Sequence, residues 1–544
     1  METRNSIIEA TTKQYLSTCN RNDPPSCVEK DLLEMINDYI ILENSTRSKY
    51  IEKIKPPSTL PARTVADIIL DRYPVVRLSL EAGSEILAMY CDSGKNEGLY
   101  IPAEDEVKKI AEQYNHTMSE RELKDVVSKL ERNAPLVDIT RDPDLIPVNN
   151  GVFNYRTKDL RPFTPKAVFT SKAHVDYKYN VKNPIIRNPD GTDWDVDNWM
   201  NSLSDDPGIV HLLWEIIGAC VRPNVNWKKS AWLYGEEGNG GKGTLCKLIR
   251  NICGEKSCAS ISVEDFGTDA FLEGLVSKSA IICDENDVGT YLDKAKKFKC
   301  AVTGDPISVN RKYRSTITFT FHGFIIQCIN ELPKVKDISG SFSRRLLIVP
   351  MEKCFTGQER PYIKDDYLVR DEVLEYVLYK VLNMNYYTLS EPEACRKLVA
   401  VYNESNNPVV EFWNEFASQF TWDLLPSHFL FDLYISWHGK FYPSGKPLGY
   451  NKFCREIRKL VRNNPEWEAK DYSIYTGTRM DAYEPLIAKF DLKEWQDPSY
   501  KGLDEKKKFR PRVIESQYRG LVRVASIITC GGAEDDKNDE EVKP

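Results

Sequence analysis

The sequence predicts an α/β fold with a largely parallel sheet in its central part, helices before it and a smaller unit after it. Short apolar runs typical of buried strands alternate with helical patterns between residues 229 and 352. Amphipathic helical patterns precede this part, as in 119–134, where Ser119 and Glu122 have the spacing of a capping box. Aromatic and basic residues become frequent after residue 410. These changes indicate several domains, in keeping with a chain of 544 residues.

Composition and charge narrow the class of protein. Hydrophobic residues make up 41% and charged residues 28% of the chain, as in globular proteins, and no apolar run is long enough to span a bilayer. The N-terminus lacks the features of a secretory signal, so we expect a cytoplasmic protein with no membrane partner. The 14 cysteines are scattered and only Cys253 and Cys258 lie close together, so the sequence does not indicate a structural zinc site. The net charge of −7 does not by itself indicate a nucleic-acid partner.

Residues 144–221 predict strands followed by a buried helix. The stretch 144–165 has the pattern of short strands joined by a turn at Asn149, Asn150 and Gly151. The stretch 209–221 is apolar apart from His211 and Glu215, which indicates a buried helix.

Residues 235–244, GEEGNGGKGT, nearly match the phosphate-binding pattern G-x-x-x-x-G-K-[ST]. Gly235 lies one residue too far from Lys242, and Gly243 occupies the place of the usual Ser or Thr, with Thr244 one position late. The preceding strand AWLY and the following amphipathic helix nevertheless supply what a phosphate loop needs. The predicted nucleotide-binding residues are Gly235, Gly238, Asn239, Gly240, Gly241, Lys242, Gly243 and Thr244.

Polar residues that follow the later apolar runs indicate hydrolysis of the bound nucleotide. Asp284 follows the strand AIIC and is predicted to hold Mg²⁺, and the adjacent Glu285 to polarise the attacking water. Asn330 ends the run GFIIQCIN and would orient that water, while Arg344 and Arg345 are candidates for an arginine finger that enters a neighbour's site. For each segment alone, a glycine-rich turn, an acidic loop or a surface arginine pair remains an alternative. Their order along the chain favours the ATPase interpretation.

The order of the phosphate loop, DE, TGD…NRKYR, QCINELP and FSRRLLIVP resembles superfamily 3 helicases. The resemblance is closer to the phage and plasmid primase–helicase family, which is related to the poxvirus primase–helicases, and it covers roughly 140–460. It implies an AAA+ type P-loop ATPase that forms a homo-hexameric ring, uses ATP and Mg²⁺, and translocates on single-stranded DNA. The segment 144–165 is similar to the collar that precedes the ATPase in that family.

The resemblance also implies roles for individual residues. Lys242 matches the motif A lysine, Asp284 and Glu285 match motif B, Asn330 matches the sensor, and either Arg344 or Arg345 the finger. Thr244, or a water, would take the place of the missing metal-binding hydroxyl beside Asp284. A longer loop implies a bulge at Glu236 and Glu237 with their side chains pointing outward. The family places a basic β-hairpin in the pore, which corresponds here to 303–319, with the predicted DNA-binding residues Arg311, Lys312, Tyr313 and Arg314.

The two ends of the chain lead to weaker expectations. The C-terminal unit resembles the family's winged-helix domain, and its helix 450–462 has an apolar side beside a basic one that fits DNA contact or a plain solvated face. Its predicted DNA-binding residues are Lys452, Arg455, Arg458 and Lys459. The basic run 506–512 follows. Residues before 140 contain no clear acid-x-acid motif for a primase, so we expect a remnant or a dock for a separate primase or polymerase.

These observations divide the chain into five parts. They are an accessory domain (1–140), a collar (141–225), the helicase domain (226–400), a winged-helix-like domain (401–528) and a disordered acidic tail (529–544). The predicted function is an ATP-dependent DNA helicase that acts on single-stranded and forked DNA and replicates a phage, plasmid or other mobile element. The main alternative is an ATP-binding initiator that binds or melts an origin without processive unwinding. A non-enzymatic DNA-binding initiator and a small-molecule kinase are the further alternatives.

Overall fold

The computed structural model describes residues 3–286, 291–292, 295–312, 315–335, 340–441, 447–496, 500–504 and 515–524. The chain forms two compact units. The first contains residues 1–335 and 341–399, and the second contains residues 336–340 and 400–544.

The first unit begins with a lobe of five helices and a small sheet. The helices are α1 (Arg4–Thr18), α2 (Pro25–Thr46), α3 (Ala62–Arg72), α4 (Glu104–Tyr114) and α5 (Glu120–Asn133). The strands are β1 (Val75–Ser79), β2 (Glu85–Tyr90), β3 (Tyr100–Pro102) and β4 (Leu136–Asp138), in the order β3-β2-β1-β4. The predicted capping box is confirmed, because Ser119 and Glu122 exchange side-chain-to-backbone hydrogen bonds of 2.9 and 3.4 Å. The helices of the N-terminal region were expected, but its sheet was not, because strands as short as three residues give no clear periodic signal.

The next segment contains the predicted short strands and buried helix. The strands are β5 (Leu145–Val148), β6 (Gly151–Asn154), β7 (Asp159–Arg161), β8 (Ile186–Arg187) and β9 (Asp193–Trp194), and the helices are α6 (Val196–Ser202) and α7 (Pro207–Val221). Gly151 is required after the turn, because its φ is +152° and a Cβ there would lie 2.4 Å from the carbonyl oxygen of Arg161. Helix α7 is buried along most of its length, as the apolar run predicts.

The centre of the first unit is a five-stranded parallel sheet. The strands of this sheet and the elements between and after them are, in chain order, β10 (Ser230–Tyr234), α8 (Lys242–Cys253), β11 (Cys258–Ala259), α9 (Asp269–Leu272), β12 (Ala280–Cys283), β13 (Tyr291–Leu292), α10 (Lys296–Thr303), β14 (Pro306–Val309), β15 (Ile317–Thr320), β16 (Phe324–Ile329), β17 (Lys334–Val335), β18 (Leu346–Pro350), α11 (Pro361–Asp365), α12 (Asp371–Asn383) and α13 (Glu393–Ser405). The sheet order is β11-β12-β16-β10-β18, with every neighbouring pair parallel. The predicted parallel sheet is therefore confirmed. The apolar run at 315–321 is not part of this sheet. It contributes β15, which pairs antiparallel with β14 in the hairpin that the resemblance implies at 303–319.

Apolar side chains cover both faces of this sheet. On one face, Ala231 and Leu233 of β10 share a single core with α7, α8 and α12. On the other face, Trp232 packs against Phe298 of α10 and Phe342, with ring centroids 5.9 and 6.0 Å away. Helical layers on two faces explain why the strands are almost continuously hydrophobic. The connections that leave β10 and β16 run in opposite directions across the sheet, and in open α/β sheets ligands bind in a crevice at the carboxyl ends of such strands.

The β14–β15 hairpin docks on the N-terminal lobe. The backbone N–H of Thr318 donates to Ser84 Oγ over 2.9 Å, and the Thr320 hydroxyl donates to Glu81 over 3.1 Å. His322 follows this hairpin, and burial, assisted by Arg141, lowers its pKa to about 4. The imidazole therefore stays neutral in the folded protein at pH values where a solvated histidine takes up a proton.

Replacing His322 by glutamine is expected to remove part of the acid sensitivity of the fold. Between about pH 6.5 and pH 4 the unfolded chain binds a proton at His322 and the folded chain does not, so the free energy of unfolding falls as the pH falls. This contributes up to about 3 kcal/mol over that window, and His322→Gln should lack it. Urea denaturation at pH 4.5 and pH 7 measures the difference. The exposed His116→Gln is the control, and equal acid sensitivity of all three proteins would disprove the effect.

Arg222, immediately after α7, is buried in a cage of aromatic rings. Its guanidinium lies 3.5 Å from the centroid of the Tyr155 ring and donates to the carbonyl oxygen of Tyr386 over 2.8 Å. Three further rings lie between 5.0 and 5.3 Å from it, those of Trp227, Tyr386 and Tyr387. Lys158 approaches the same Tyr155 ring at 3.6 Å, and burial lowers its pKa to about 8, with a smaller contribution from Arg222. The cage joins the β6–β7 turn to the chain that follows α12.

The second unit combines helices with a small antiparallel sheet around an aromatic core. Its elements are α14 (Pro408–Phe416), β19 (Leu424–Pro426), α15 (Ser427–Phe441), α16 (Tyr450–Leu460), β20 (Trp467–Ala469), β21 (Ile474–Tyr475), α17 (Pro485–Lys489), β22 (Gln517–Tyr518) and β23 (Gly520–Arg523). The three-stranded sheet has the order β19-β23-β20. Phe453 and Ile457 of α16 are buried, as its amphipathic pattern predicts, and Leu460 is partly buried. Across the described parts of both units, none of the helices has the length and apolar composition needed to cross a membrane.

Candidate functional site

The glycine-rich loop joins the end of β10 at Tyr234 to the start of α8 at Lys242. The loop passes close to the chain after β18 and to the end of α6, which leaves little room for a side chain at three of its glycines. A Cβ at Gly235 would lie 2.7 Å from the carbonyl oxygen of Met351, and one at Gly240 would lie 3.1 Å from that of Lys353. Gly241 has a φ of +82°, and a Cβ there would meet Leu203 at 2.8 Å. The local geometry therefore requires glycine at positions 235 and 241, whereas a Cβ at position 240 would force its neighbours to shift slightly.

The remaining residues of the loop face open space. No heavy atom lies within 4 Å of a Cβ built at Gly238, and the nearest to one at Gly243 is Lys364 Nζ at 3.9 Å. Asn239 has a φ of +62°, a conformation that asparagine tolerates, and its side chain donates to Glu359 over 2.8 Å. The extra length of the loop is thus accommodated without burying a bulky side chain.

Glu236 and Glu237 are exposed, so the acids of the longer loop point outward as predicted. Glu236 accepts a hydrogen bond of 2.7 Å from the hydroxyl of Tyr234. Burial and this hydrogen bond raise the pKa of Tyr234 to about 12. The carboxylate of Glu236 is therefore engaged with the end of β10, away from the start of α8.

Lys242 lies between the ends of two neighbouring strands. Its ammonium donates to the carbonyl oxygens of Gly235 and Ile329 over 2.9 and 3.1 Å, and to Asn330 Oδ1 over 2.5 Å. All three acceptors are uncharged, so these contacts leave the positive charge of Lys242 un-neutralised, and burial lowers its pKa. Helix α8 begins at this residue with no side-chain cap, and its first backbone N–H groups point toward the loop. The loop therefore combines a lysine with a helix N-terminus, which is the usual composition of an anion site.

Asp284 and Glu285 follow β12, which is separated from β10 and its loop by β16, and both residues are exposed. Arg250 of α8 donates to Asp284 over 3.3 Å and to the carbonyl oxygen of Ile282 over 2.7 Å, which ties the end of β12 to the helix. Asn286 donates to the carbonyl oxygen of Cys328 in β16 over 3.0 Å. Thr244, in the first turn of α8, is partly buried. The structure thus gathers Lys242, Thr244, Asp284, Glu285 and Asn330 on the elements at one edge of the sheet.

Sequence reasoning did not identify Arg250 and Asn286, which hold these strand ends together. It also missed the proximity of Cys246, Asp284 and Cys328, whose ligand atoms all lie within 4.8 Å of one another. The three residues are separated by about 40 positions each along the chain, so no local motif could have revealed them.

The structure does not bring Arg344 and Arg345 to this edge. They form a short 3-10 turn before β18, whose first residue, Leu346, pairs with Ser230, the first residue of β10. They therefore lie at the end of the sheet opposite to the loop of their own chain. Arg344 is exposed, whereas Arg345 is partly buried and donates to the carbonyl oxygen of Ser341.

The predicted DNA-binding residues lie in two places. Arg311 and Lys312 are in the connection of the β14–β15 hairpin, where Arg311 donates to the carbonyl oxygen of Ser315 over 3.0 Å. Tyr313 and Arg314 lie outside the described residues, as do the basic run 506–512 and the tail 529–544.

The basic residues of α16 are partly engaged within the second unit. Arg455 and Lys459 are exposed, and Lys452 is partly buried. Arg458 pairs with Asp471 at 2.7 Å, and Lys459 with Glu456 at 2.9 Å. These exposed pairs hold little energy and can exchange for phosphate partners.

Two solved structures resemble the chain weakly. The A form apo structure of NrS-1 C terminal region-CTR has a TM-score of 0.40 and 13% identity, and the match covers 76% of this chain and 96% of that chain. The A form apo structure of NrS-1 C terminal region-CTR(305-718) has a TM-score of 0.39 and 14% identity, with 84% and 98% covered. These scores are too low to carry an argument about fold or function.

Three family models match successive parts of the sequence. Residues 233–345, which contain the loop and the strand-end residues, match a family of unknown function (DUF5906). Residues 62–205 match the family described as D5 N terminal like, and residues 404–493 match the family described as Poxvirus D5 protein-like. The two D5 matches lie on either side of the candidate site, and the first begins at residue 62, well before the stretch of roughly 140–460 that the resemblance covers. The chain is therefore a relative of the phage and poxvirus-type primase–helicases.

Proposed function

We propose that this chain is an ATP-driven DNA helicase that acts in the replication of a phage, plasmid or other mobile element. The family matches indicate a replication-related function. The observation that carries the proposal of a motor is the position of Lys242, between Gly235 and Asn330 at the carboxyl ends of adjacent parallel strands. Ligands of open α/β sheets bind at such a crevice, where the connections of neighbouring strands diverge.

The residues of the loop fit a triphosphate. The glycines keep the backbone free of side chains where phosphate oxygens would approach, and the uncapped N-terminus of α8 offers its N–H groups. Lys242 holds a positive charge that its present partners leave un-neutralised. A bound anion would satisfy this charge, so both the shape and the electrostatics of the loop favour ATP as the substrate.

The acids at the end of β12 fit the hydrolysis of that substrate. Asp284, with Thr244 of α8, would hold Mg²⁺, which on binding supplies positive charge to the phosphoryl oxygens. Glu285 is exposed next to Asp284 and can accept a proton from an attacking water. Asn330 already contacts Lys242, so its amide connects the end of β16 to the lysine that binds phosphate. Through this contact a change of nucleotide at Lys242 would reach β16 and the hairpin before it.

The position of the two arginines favours a ring. Because Arg344 is exposed at the opposite end of the sheet, it lies on the wrong side to serve the loop of its own chain. In a homo-hexamer the same surface can face the loop of the adjacent subunit, where an arginine supplied in trans stabilises the transition state. We assign the finger to Arg344, since Arg345 bonds to its own chain.

Arg311, Lys312, Tyr313 and Arg314 would grip single-stranded DNA in the pore of this ring. The helices and antiparallel sheet of the second unit fit a winged-helix domain, with Lys452, Arg455, Arg458 and Lys459 of α16 directed to duplex or forked DNA. The N-terminal lobe would be the dock for a separate primase or polymerase.

The decisive experiment compares ATP hydrolysis with and without single-stranded DNA, followed by strand displacement on a fork. DNA should strongly stimulate the natural protein. The double variant Arg311→Ala/Lys312→Ala should lose much of this stimulation. For DNA binding, its slope of log affinity against log salt concentration should be smaller in magnitude by about two. The control Lys166→Ala/Lys182→Ala removes the same charge from exposed positions outside the hairpin.

Each outcome of this experiment selects one function. Hydrolysis that DNA does not change would refute a DNA motor. Stimulation without strand displacement would favour the initiator that melts an origin. Stimulation with displacement, weakened only in the hairpin variant, is the result that we expect.

A further inference from the structure

Two buried thiols and one carboxylate meet beneath the phosphate loop. Cys246 lies one turn into α8, Cys328 lies near the end of β16, and Asp284 follows β12. The sulfur atoms of Cys246 and Cys328 are 3.4 Å apart, and the ligand atoms of all three residues lie within 4.8 Å of one another. Cys246 is fully buried and Cys328 is 2% exposed, whereas the side chain of Asp284 is 50% exposed. The two sulfur atoms are therefore shielded from solvent, whereas the carboxylate is accessible to it.

We propose that these three residues bind a thiophilic divalent cation of the zinc class. Thiolates select soft cations over Mg²⁺, and two sulfurs with one carboxylate provide three of the four positions of a tetrahedral site. The fourth position faces the solvent beside Asp284, where a water can complete the shell. Binding releases two protons, one from each thiol, and the cation keeps its charge state, so no oxidant or reductant is required. Within the residues that the structure describes, this is the one such group of three potential ligands.

Three different elements supply the ligands, so the cation would cross-link them. It would join α8, which carries Lys242, to the ends of β12 and β16, which carry Glu285 and Asn330. Arg250 now donates to Asp284 over 3.3 Å and would give up this contact. This consequence rests on the proposed function: because Asp284 is also the proposed Mg²⁺ ligand, the thiophilic cation would compete with Mg²⁺ and inhibit ATP hydrolysis.

The alternative is a pair of cysteines that pack as small apolar residues next to an unrelated carboxylate. Cadmium distinguishes the two, because a cadmium–thiolate bond has its own ultraviolet charge-transfer band. We expect the natural chain, kept reduced with a thiol-free reductant, to bind Cd²⁺ with this band, and we expect one fewer tightly bound Cd²⁺ in each of the two cysteine variants of the site. Cys328→Ser and Cys246→Ser should each weaken binding at this site by about 100-fold. Cys395→Ser, which removes a buried thiol elsewhere in the first unit, should not change it.

Asp284→Asn provides a test that does not alter the core. Asp284 is exposed, so this variant should fold normally, keep the thiolate band, and bind Cd²⁺ about tenfold more weakly. An unchanged titration in Asp284→Asn, or a band of full strength in both cysteine variants, would overturn the proposal.

The outcomes also separate this site from the proposed function. Cadmium binding that requires Cys246 and Cys328, in a protein with no ATP hydrolysis, would support the cation site and count against the motor. If the natural chain hydrolyses ATP and both cysteine variants bind Cd²⁺ normally, the motor is supported and the cation site is refuted. If both proposals hold, micromolar Zn²⁺ should inhibit hydrolysis, and a chelator should restore it.

Discussion

Replacing Lys242 by alanine is expected to lower the rate of ATP hydrolysis by at least about 100-fold, the usual effect of removing one preorganised donor from a developing charge. Lys242 is the one residue of the site whose charge, burial and position all favour contact with phosphate. Its ammonium lies among three uncharged oxygens at the carboxyl ends of β10 and β16. The variant should also bind ATP more weakly, since the lysine contributes to the ground state as well as to the transition state.

The same substitution should leave the fold nearly unchanged. It removes a partly buried ammonium whose pKa burial lowers, together with hydrogen bonds to Gly235, Ile329 and Asn330. We expect a loss of about 1–2 kcal/mol in the free energy of unfolding, because the side chain of Asn330 is exposed and water can replace the lysine there. Lost activity would thus not result from unfolding.

Lys247→Ala is the matched control, since it removes a lysine from the same helix about one and a half turns further on. It should retain hydrolysis, which a coupled assay at saturating ATP measures. Equal activity of Lys242→Ala and the natural chain would exclude this loop as the catalytic site. If both were inactive yet bound DNA, the unusual loop would be a degenerate site and the non-enzymatic initiator would be the better interpretation.

Much of this site could be predicted because its residues are grouped locally along the chain. The glycines predict a close approach of backbone to ligand, and the apolar spacing after Lys242 predicts α8, which begins at that residue. The acids after AIIC and the asparagine after GFIIQCI predict polar groups at strand ends. Parallel strands then bring those ends to one edge without any further information.

What could not be predicted depends on contacts between distant parts of the chain. The pairing of β18 with β10 joins Leu346 to Ser230, more than 100 positions away, and no local pattern contains it. The hairpin's bonds to Ser84 and Glu81 join segments more than 230 residues apart. The four-stranded sheet of the N-terminal lobe was missed because its strands are short and because Arg77 of β1 pairs with the distant Leu136 of β4. The same limitation concealed the aromatic cage around Arg222.

Replacing Arg222 by alanine should lower the free energy of unfolding of the first unit by about 3–5 kcal/mol. Arg222 is 1% exposed, and its guanidinium lies against the ring of Tyr155 and donates to the carbonyl oxygen of Tyr386. Alanine would remove these interactions and leave a cavity that the surrounding aromatic rings cannot easily fill. It would also loosen the junction between the β6–β7 turn and the chain after α12.

The chemistry of the cage allows a sharper test of what Arg222 contributes. Its Nε and one of its terminal nitrogens have no hydrogen-bond partner among the described residues, so the buried cation is only partly compensated. If its packing matters more than its charge, Arg222→Met, which retains most of the volume, should cost no more than about 1.5 kcal/mol. If the interaction of the cation with the rings dominates, methionine should be nearly as harmful as alanine. We expect the first result, because the unpaired nitrogens already cancel part of the gain from the rings.

Arg187→Ala is the control, because it removes the same charge from the first unit at a side chain that is 69% exposed. Its partner Asp193 is 59% exposed, so the loss should stay below about 1 kcal/mol. Urea denaturation followed by circular dichroism measures all three variants. The cage contacts Trp227, which precedes β10, so it lies at the end of the sheet opposite to Lys242. Arg222→Met should consequently retain ATP hydrolysis per folded molecule, and a large loss of hydrolysis in a stably folded variant would show that the cage acts on the loop.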